Sequence, residues 1–495
     1  MNIENITALQ NGSDIRGIAM DGVKGESVNL TQDMAMKIAY AFSFWLKAKL
    51  GKDKLAVAVG RDSRLTGPNL AQAACLGLVS DGNQVYDCGI ATTPAMFMTT
   101  LDPEMHCDGA VMITASHLPF NRNGIKLFTG EGGLNKEDIA EILKSAETIT
   151  TDFKLGGKRE DYAFIPKYAA NIVKMIQTKT GADKPLAGAK IIVDAGNGAG
   201  GFFAKLVLEP LGADTQGSQF LEPDGHFPNH IPNPEDAGAI AAISEAVVKN
   251  KADMGIIFDT DVDRAAVIDE RGHAINRNGF IAFIASMLLE EYPGTTIVTD
   301  SVTSTGLTEY IEGIGGKHHR FKRGYKNVIN EAIRLNAEGI ETHLAMETSG
   351  HGAIKENYFL DDGAYLVTMA LIKFAQLHKA GKPISDFLKG LKEPAEAVEV
   401  RYHIGAEDFK AYGAKVLDAF KAFAEAQDGW HLVEPNYEGI RVNCDAAAGN
   451  GWCLMRMSLH DPIIPLNIES DEVGGCEKIQ KTIDVFLKDY PELTK

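Results

Sequence analysis

The sequence predicts an α/β protein: three similar βα domains with mixed and parallel sheets sandwiched by helices, then a smaller α+β domain, arranged around a central cleft. Three observations carry this. An apolar strand, a helix and a second apolar strand that runs into a polar loop recur three times in order. Those strands are continuous apolar runs, as expected where helices cover both faces of a mostly parallel sheet. Near residue 392 the recurrence stops and an alternating pattern begins.

The first strands of the repeat are Leu55–Gly60, Ile191–Gly196 and Thr296–Asp300, and the helical runs after them are Leu70–Val79, Gly201–Leu211 and Leu307–Gly313. A glycine closes each helix, as a helix C-terminus favours. The second strands end in polar loops: Ala110–Ile113 into Thr114-Ala115-Ser116-His117, Gly255–Phe258 into Asp259–Arg264, and Leu344–Met346 into Glu347-Thr348-Ser349-Gly350-His351. Ligands of open α/β sheets sit beyond the carboxyl ends of the strands, so these loops are expected to converge on one cleft. Boundaries follow at 1–180, 181–285, 286–392 and 393–495. In the last segment Glu393–Glu396 reads as a linker, Val398–Tyr402 as an alternating strand, Ala406–Ala426 as a helix, and Gly439–Asn443 and Trp452–Arg456 as strands.

A length of 495 residues exceeds one ordinary core and suits three or four domains. The formal charge of -18 disfavours nucleic acid as a partner, and a small anion would need a focused cationic site. The dense basic run is Lys317–Arg323, with Lys326 beyond it; its plainer reading is a solvated face. Six scattered cysteines without a C-x-x-C pair fit reduced core thiols rather than disulfides or zinc ligands. With neither a leader-like N-terminus nor an apolar run of the ~18 residues that span a bilayer, a cytoplasmic, non-membrane protein is expected.

Asp259, Asp261 and Asp263, two residues apart after an apolar strand, can aim hard oxygens at one point, the chemistry Mg²⁺ prefers. An EF-hand would need glycine where Arg264 stands and a helix where the strand is; a merely solvated acidic turn stays open. Ser116, next to small Ala115 and to His117, sits in a loop kept from helix by Pro119 and Asn121–Gly124, and it lacks the Gly-x-Ser-x-Gly elbow of hydrolases. By itself it is a turn residue. Glu347 and Ser349 offer groups that hydrogen-bond adjacent sugar hydroxyls, and Gly350 allows close backbone approach.

Taken together, Thr114-Ala115-Ser116-His117-x-Pro119, Asp259-x-Asp261-x-Asp263-Arg264 and Glu347-x-Ser349-Gly350-His351, in that order and on that repeat, resemble the α-D-phosphohexomutases. Pro223–Asn229 and Pro232-Asn233-Pro234-Glu235 are similar to the second-domain segment of the phosphomannomutase/phosphoglucomutase branch. The resemblance implies a four-domain enzyme that interconverts hexose 1-phosphate and hexose 6-phosphate, with sugar phosphates as its partners. Ser116 would carry the phosphoryl group through a hexose 1,6-bisphosphate, and Mg²⁺ would be held by Asp259, Asp261, Asp263 and phosphorylated Ser116. His117 and Lys126 would serve proton transfer or transition-state contact and Arg264 would clamp the phosphoryl group, while Arg16, Arg61 and Arg64 match arginines near the active site. Lys322 and Arg323 would face substrate, and Glu347, Ser349 and His351 would lie on the sugar-reading loop.

The fourth domain departs from the family pattern. Arg456-Met457-Ser458-Leu459-His460-Asp461-Pro462 stands where the family carries its phosphate-binding loop; Arg456 and Ser458 survive, His460 replaces a hydroxyl, and Pro465 replaces a second arginine. Thr260 and Val262 stand where the family favours glycines, and Leu118 where it has asparagine. Besides a glucose or mannose phosphate mutase, a phosphoglucosamine mutase, a non-catalytic sugar-phosphate-binding relative and a Mg²⁺-dependent phosphatase stay open at this level. Oligomeric state has no signal in the sequence.

Overall fold

Helix Gln32–Leu50 shows how local sequence sets the architecture: the Thr31 hydroxyl caps its first turn, and Gly51 closes it at φ 64°. Met34, Ile38, Phe42 and Leu46, four residues apart, face inward. Each such side chain contributes about 1.5–3 kcal/mol of burial. The structure is a computed structural model that describes residues 5–150, 156–458 and 461–495. The chain divides into two compact units, residues 1–280 with 349–387, and residues 281–348 with 388–495.

In the first unit the larger sheet has the order 10–11, 14–18, 122–129, 109–113, 56–61, 84–90, 158–161, with 132–133 beside 122–129. Strands 109–113, 56–61, 84–90 and 158–161 are parallel. Strand 122–129 returns antiparallel to 109–113, because the loop of Thr114–Asn121 is far too short for a crossover. The second sheet repeats this: 191–194 and 254–258 pair in parallel, and 265–269 returns antiparallel after the Asp259–Arg264 loop. The sheets are therefore mixed rather than mostly parallel, and the polar loops after the second strands of the first two repeats are tight returns. Their conformation is pinned by the strands on either side.

The helix expected over Gly201–Leu211 is shorter, narrowing to a π-helical turn at Ala204–Leu208. At Gly201, just before it, the chain runs close against Leu221, where a Cβ would come within 1.9 Å of the carbonyl oxygen. In this unit the buried apolar residues of helices Gln32–Leu50 and Gly67–Ser80 join those of the larger sheet in one core.

In the second unit strands 317–320, 296–299 and 342–346 are parallel. A six-stranded antiparallel sheet runs 430–432, 440–444, 451–455, 463–470, 396–404, 493–494. Helices Phe409–Glu425 and Gly475–Leu487 supply Val416, Phe420, Ile479 and Ile483 to its core. Glu396 already belongs to a strand, so the linker is shorter than the sequence suggests. All six cysteines are free and buried, and burial pushes the Cys75 thiol up to about 12. Among the described residues no helix is long and apolar enough to cross a membrane.

Gly77 lies where helix Gly67–Ser80 touches the helix before it, and a Cβ there would stand 2.2 Å from the Met36 carbonyl oxygen. Alanine improves helix propensity by about 1 kcal/mol, yet overpacking a tight contact costs about 1–3 kcal/mol. We expect Gly77→Ala to lower the urea midpoint of the first unfolding transition. An unchanged or raised midpoint would show that this contact yields freely.

Candidate active site

Ser116 lies just beyond strand 109–113, after Thr114 and Ala115, and its backbone is left-handed at φ 50°, a region that costs a non-glycine residue about 1–2 kcal/mol. Arg64 holds it there. This fully buried guanidinium donates to the carbonyls of Pro119 at 2.8 Å and Arg122 at 2.9 Å, and to those of Ser116 and Leu118. Asp62 balances its charge, accepting from the Arg64 backbone N–H at 2.9 Å with the side chains 3.5 Å apart. Truncating one member of such a buried pair costs about 3–5 kcal/mol. Both side chains are interior, and Arg64 shapes the serine loop. Arg61 is half-buried and donates to the Asp62 carbonyl at 3.2 Å. Arg16 pairs with Asp14 at 2.8 Å and donates to the Thr114 carbonyl at 2.6 Å, so it borders the same loop.

The Ser116 hydroxyl donates to Asp259 Oδ2 at 2.9 Å and accepts from Arg264 at 3.0 Å. Asp259, Asp261 and Asp263 are buried, each with an oxygen within 4.8 Å of the others'. Lys126 pairs with Asp263 at 2.5 Å and with Asp261 at 3.5 Å. Among the described residues Asp261 Oδ1 and Asp263 Oδ1 are buried without hydrogen-bond partners. Oxygens left over in this way beside two fixed neighbours are what a hard divalent cation fits. A second group, Asp263, His351 and Asp361, shares Asp263 and belongs to the same site. Val262 takes φ 66° while fully buried, so the loop keeps a left-handed turn although valine stands where the family favours glycine.

Burial, and next the charges of Asp263 and Asp261, raise the Asp259 carboxyl well above its ordinary range. Burial acts the same way on Asp263, but Lys126 foremost among its neighbouring cations pulls that carboxyl far below the ordinary range. Burial and then the Arg264 charge push His117 down to about 3. Its Nδ1 lies 2.6 Å from an Arg264 N–H, as suits a neutral ring acting as acceptor. His351, also held neutral chiefly by burial, has Nδ1 2.9 Å from the Ser349 hydroxyl.

In the second unit Glu347 accepts from the Gly324 N–H at 2.6 Å, which ties it to the turn after the basic run. Lys322 is exposed, and Arg323 lies 3.8 Å from buried Asp300. The basic run is only partly a solvated or substrate-facing surface: Lys317–Arg320 is a strand, His318 sits between the hydroxyls of Thr299 and Thr308, and Arg320 donates to the Ser304 carbonyl at 2.7 Å. Arg456 is buried, and among the described residues its Nε has no hydrogen-bond partner. The Ser458 hydroxyl accepts from the Asp461 N–H at 3.3 Å. His460 lies outside the described residues. Sequence reasoning missed Asp300 and Glu438, which accepts from the Arg323 backbone N–H at 3.1 Å. For Asp300 the signal was its place at the end of an apolar strand; Glu438 carried none.

The first unit thus presents a serine hydroxyl between an arginine and three carboxylates able to hold a cation, at the ends of strands from two repeats. The chain matches phosphoglucomutase/phosphomannomutase α/β/α domain I over residues 8–153, domain II over 166–272 and domain III over 276–394. It is 30% identical to a phosphoglucomutase of Neisseria gonorrhoeae over 97% of this chain and 96% of that one. A phosphoglucomutase/phosphomannomutase of Thermococcus kodakarensis is 31% identical over 97% and 98% of the two chains. A crystal structure of a phosphoglucomutase/phosphomannomutase family protein from Burkholderia thailandensis superposes with a TM-score of 0.79 at 28% identity, covering 99% of this chain and 98% of that one. The chain belongs to the α-D-phosphohexomutase family, and its function is that of a hexose-phosphate mutase.

Because Asp259 binds its proton more tightly folded than unfolded, its stabilisation is full in acid and is lost as pH rises through the raised folded value. A bound divalent cation expels that proton. Calorimetric titration with MgCl₂ in buffers of different ionisation enthalpy should show proton release, with affinity rising up to about tenfold per pH unit below the folded value. An affinity indifferent to pH, with no proton released, would contradict this electrostatic account.

Proposed function

We propose that the chain is a Mg²⁺-dependent mutase that moves a phosphoryl group between the 1- and 6-positions of glucose or mannose by way of phosphorylated Ser116. The observation that carries this is the placement of the Ser116 hydroxyl, 2.9 Å from Asp259 and 3.0 Å from Arg264, above carboxylates with unused buried oxygens. Asp259, Asp261, Asp263 and a phosphoryl oxygen on Ser116 would hold Mg²⁺, which when bound neutralises charge on the transferring group. The remaining work falls to the chain.

Arg264 donates to the serine oxygen and is positioned to follow the phosphoryl group attached there. Lys126, paired with Asp263, adds a positive charge beside the carboxylates. His117, neutral and adjacent to Ser116, can accept the proton that a sugar hydroxyl loses as it attacks the phosphorylated serine. The phosphorus–serine bond breaks, a phosphorus–sugar oxygen bond forms, and the product is a hexose 1,6-bisphosphate. After it turns over, the serine oxygen takes the other phosphoryl group and the sugar oxygen it leaves regains a proton. Glu347, Ser349 and His351 would read the sugar hydroxyls, Lys322 and Arg323 would face the substrate, and Arg456, Ser458 and His460 would bind the non-reacting phosphate; Arg16 steadies the serine loop.

One relative named phosphoglucomutase and another named phosphoglucomutase/phosphomannomutase support glucose and mannose phosphates as the substrates. A coupled assay converting glucose 1-phosphate to the 6-phosphate, with trace bisphosphate and Mg²⁺, should show turnover that Ser116→Ala lowers by at least about 10³-fold. Intact mass should show one phosphoryl group on wild type and none on the variant. Equal rates for the two proteins would sink the phosphoserine route, and phosphate release outpacing isomerisation would make the protein a phosphatase.

A further inference from the structure

The segment Pro223–Glu235, which the reaction above does not use, touches both arginines that set Ser116. At one end Gly225 lies against the backbone of the Arg64 turn: a Cβ there would stand 2.5 Å from the Leu65 nitrogen and 2.6 Å from the Ser63 carbonyl oxygen. The Phe227 ring covers the Arg64 guanidinium, 5.3 Å from the ring centre, and Phe227 takes the left-handed backbone at φ 49° to do so. Arg64 in turn holds the Ser116 carbonyl.

At the other end the Asn233 side-chain oxygen accepts from Arg264 at 3.1 Å and from the Glu235 N–H at 3.1 Å. Arg264 reaches the Ser116 hydroxyl with another of its nitrogens. Between these ends the segment is anchored to the second sheet. His230 lies with one ring nitrogen 3.0 Å from buried Asp194 and the other 2.9 Å from the Ile231 carbonyl, and Asn229 donates to Asn197 at 2.8 Å.

We infer that Pro223–Glu235 is a brace, with Phe227 and Asn233 as positioning residues, that fixes the nucleophile at its carbonyl through Arg64 and at its hydroxyl through Arg264. The brace acts on Ser116 through the two arginines, and the inference rests on the phosphoserine reading only for its kinetic arm.

The test uses Asn233→Ala, Asn233→Asp and Phe227→Leu in the full chain. Hydrogen exchange should quicken at residues 116–122 in the Ala and Leu variants while strand 109–113 keeps its protection. Single-turnover phosphoryl transfer to Ser116 from glucose 1,6-bisphosphate should slow about 10–100-fold, the usual effect of losing an outer-shell partner, with KM for glucose 1-phosphate unchanged. Asn233→Asp, which keeps the acceptor oxygen, should restore both readouts. Exchange at 116–122 that stays at the wild-type rate overturns the brace, as does a loss confined to KM. Wild type that takes no phosphoryl group defeats the phosphoserine route alone, and exchange then decides the brace.

Discussion

Each repeat of this chain buries a carboxylate at the end of its first strand, and the need to neutralise it organises what surrounds it. Asp62, Asp194 and Asp300 are all fully buried. An isolated charge in such a place is prohibitively unfavourable, so each requires a cation and hydrogen bonds. The partners differ: Arg64 for Asp62, His230 for Asp194 and Arg323 for Asp300. In the first repeat the partner goes on to shape the serine loop, in the second it anchors the brace, and in the third it sits in the basic turn that leads to Gly324 and Glu347. One structural necessity is met three ways, by an arginine, a histidine and a second arginine.

The site itself inverts that rule. Three carboxylates lie together at Asp259, Asp261 and Asp263 with Lys126 and Arg264 as neighbouring cations, so negative charge remains in excess and buried oxygens are left over. The proton held by Asp259 and the far weaker proton affinity of Asp263 are two outcomes of this imbalance, divided by which carboxylate Lys126 reaches. A divalent ion held there, as proposed above, would restore the balance. His117 and His351 are neutral in the resting site because burial, with the Arg264 charge beside it, disfavours a proton on either ring.

Much of this was legible in the sequence. Strands covered on both faces must be apolar throughout, so 56–61, 109–113, 191–194 and 254–258 stood out, and the polar residues that interrupt them marked Ser116 and the three aspartates. What stayed hidden depends on partners that residue identity does not encode. Apolar runs carry no direction, so the antiparallel returns at 122–129 and 265–269 could not be told from parallel neighbours. Arg64 bonds to carbonyls, which every residue possesses, and nothing in Gly-Arg-Asp-Ser-Arg announces that. His318 and Arg320 looked like a charged face because alternation along a short edge strand was masked by basic neighbours on both sides.

Val262 carries one more implication. A branched side chain held in a left-handed turn stays there only while its surroundings leave it no alternative. Its carbonyl accepts from the Gly363 N–H, at the start of helix Gly363–Lys379, so a distant stretch of chain takes part in that compulsion. The acidic loop is therefore tied to a stretch distant in sequence: a change that frees the start of that helix removes one of the contacts that keep the valine in its turn.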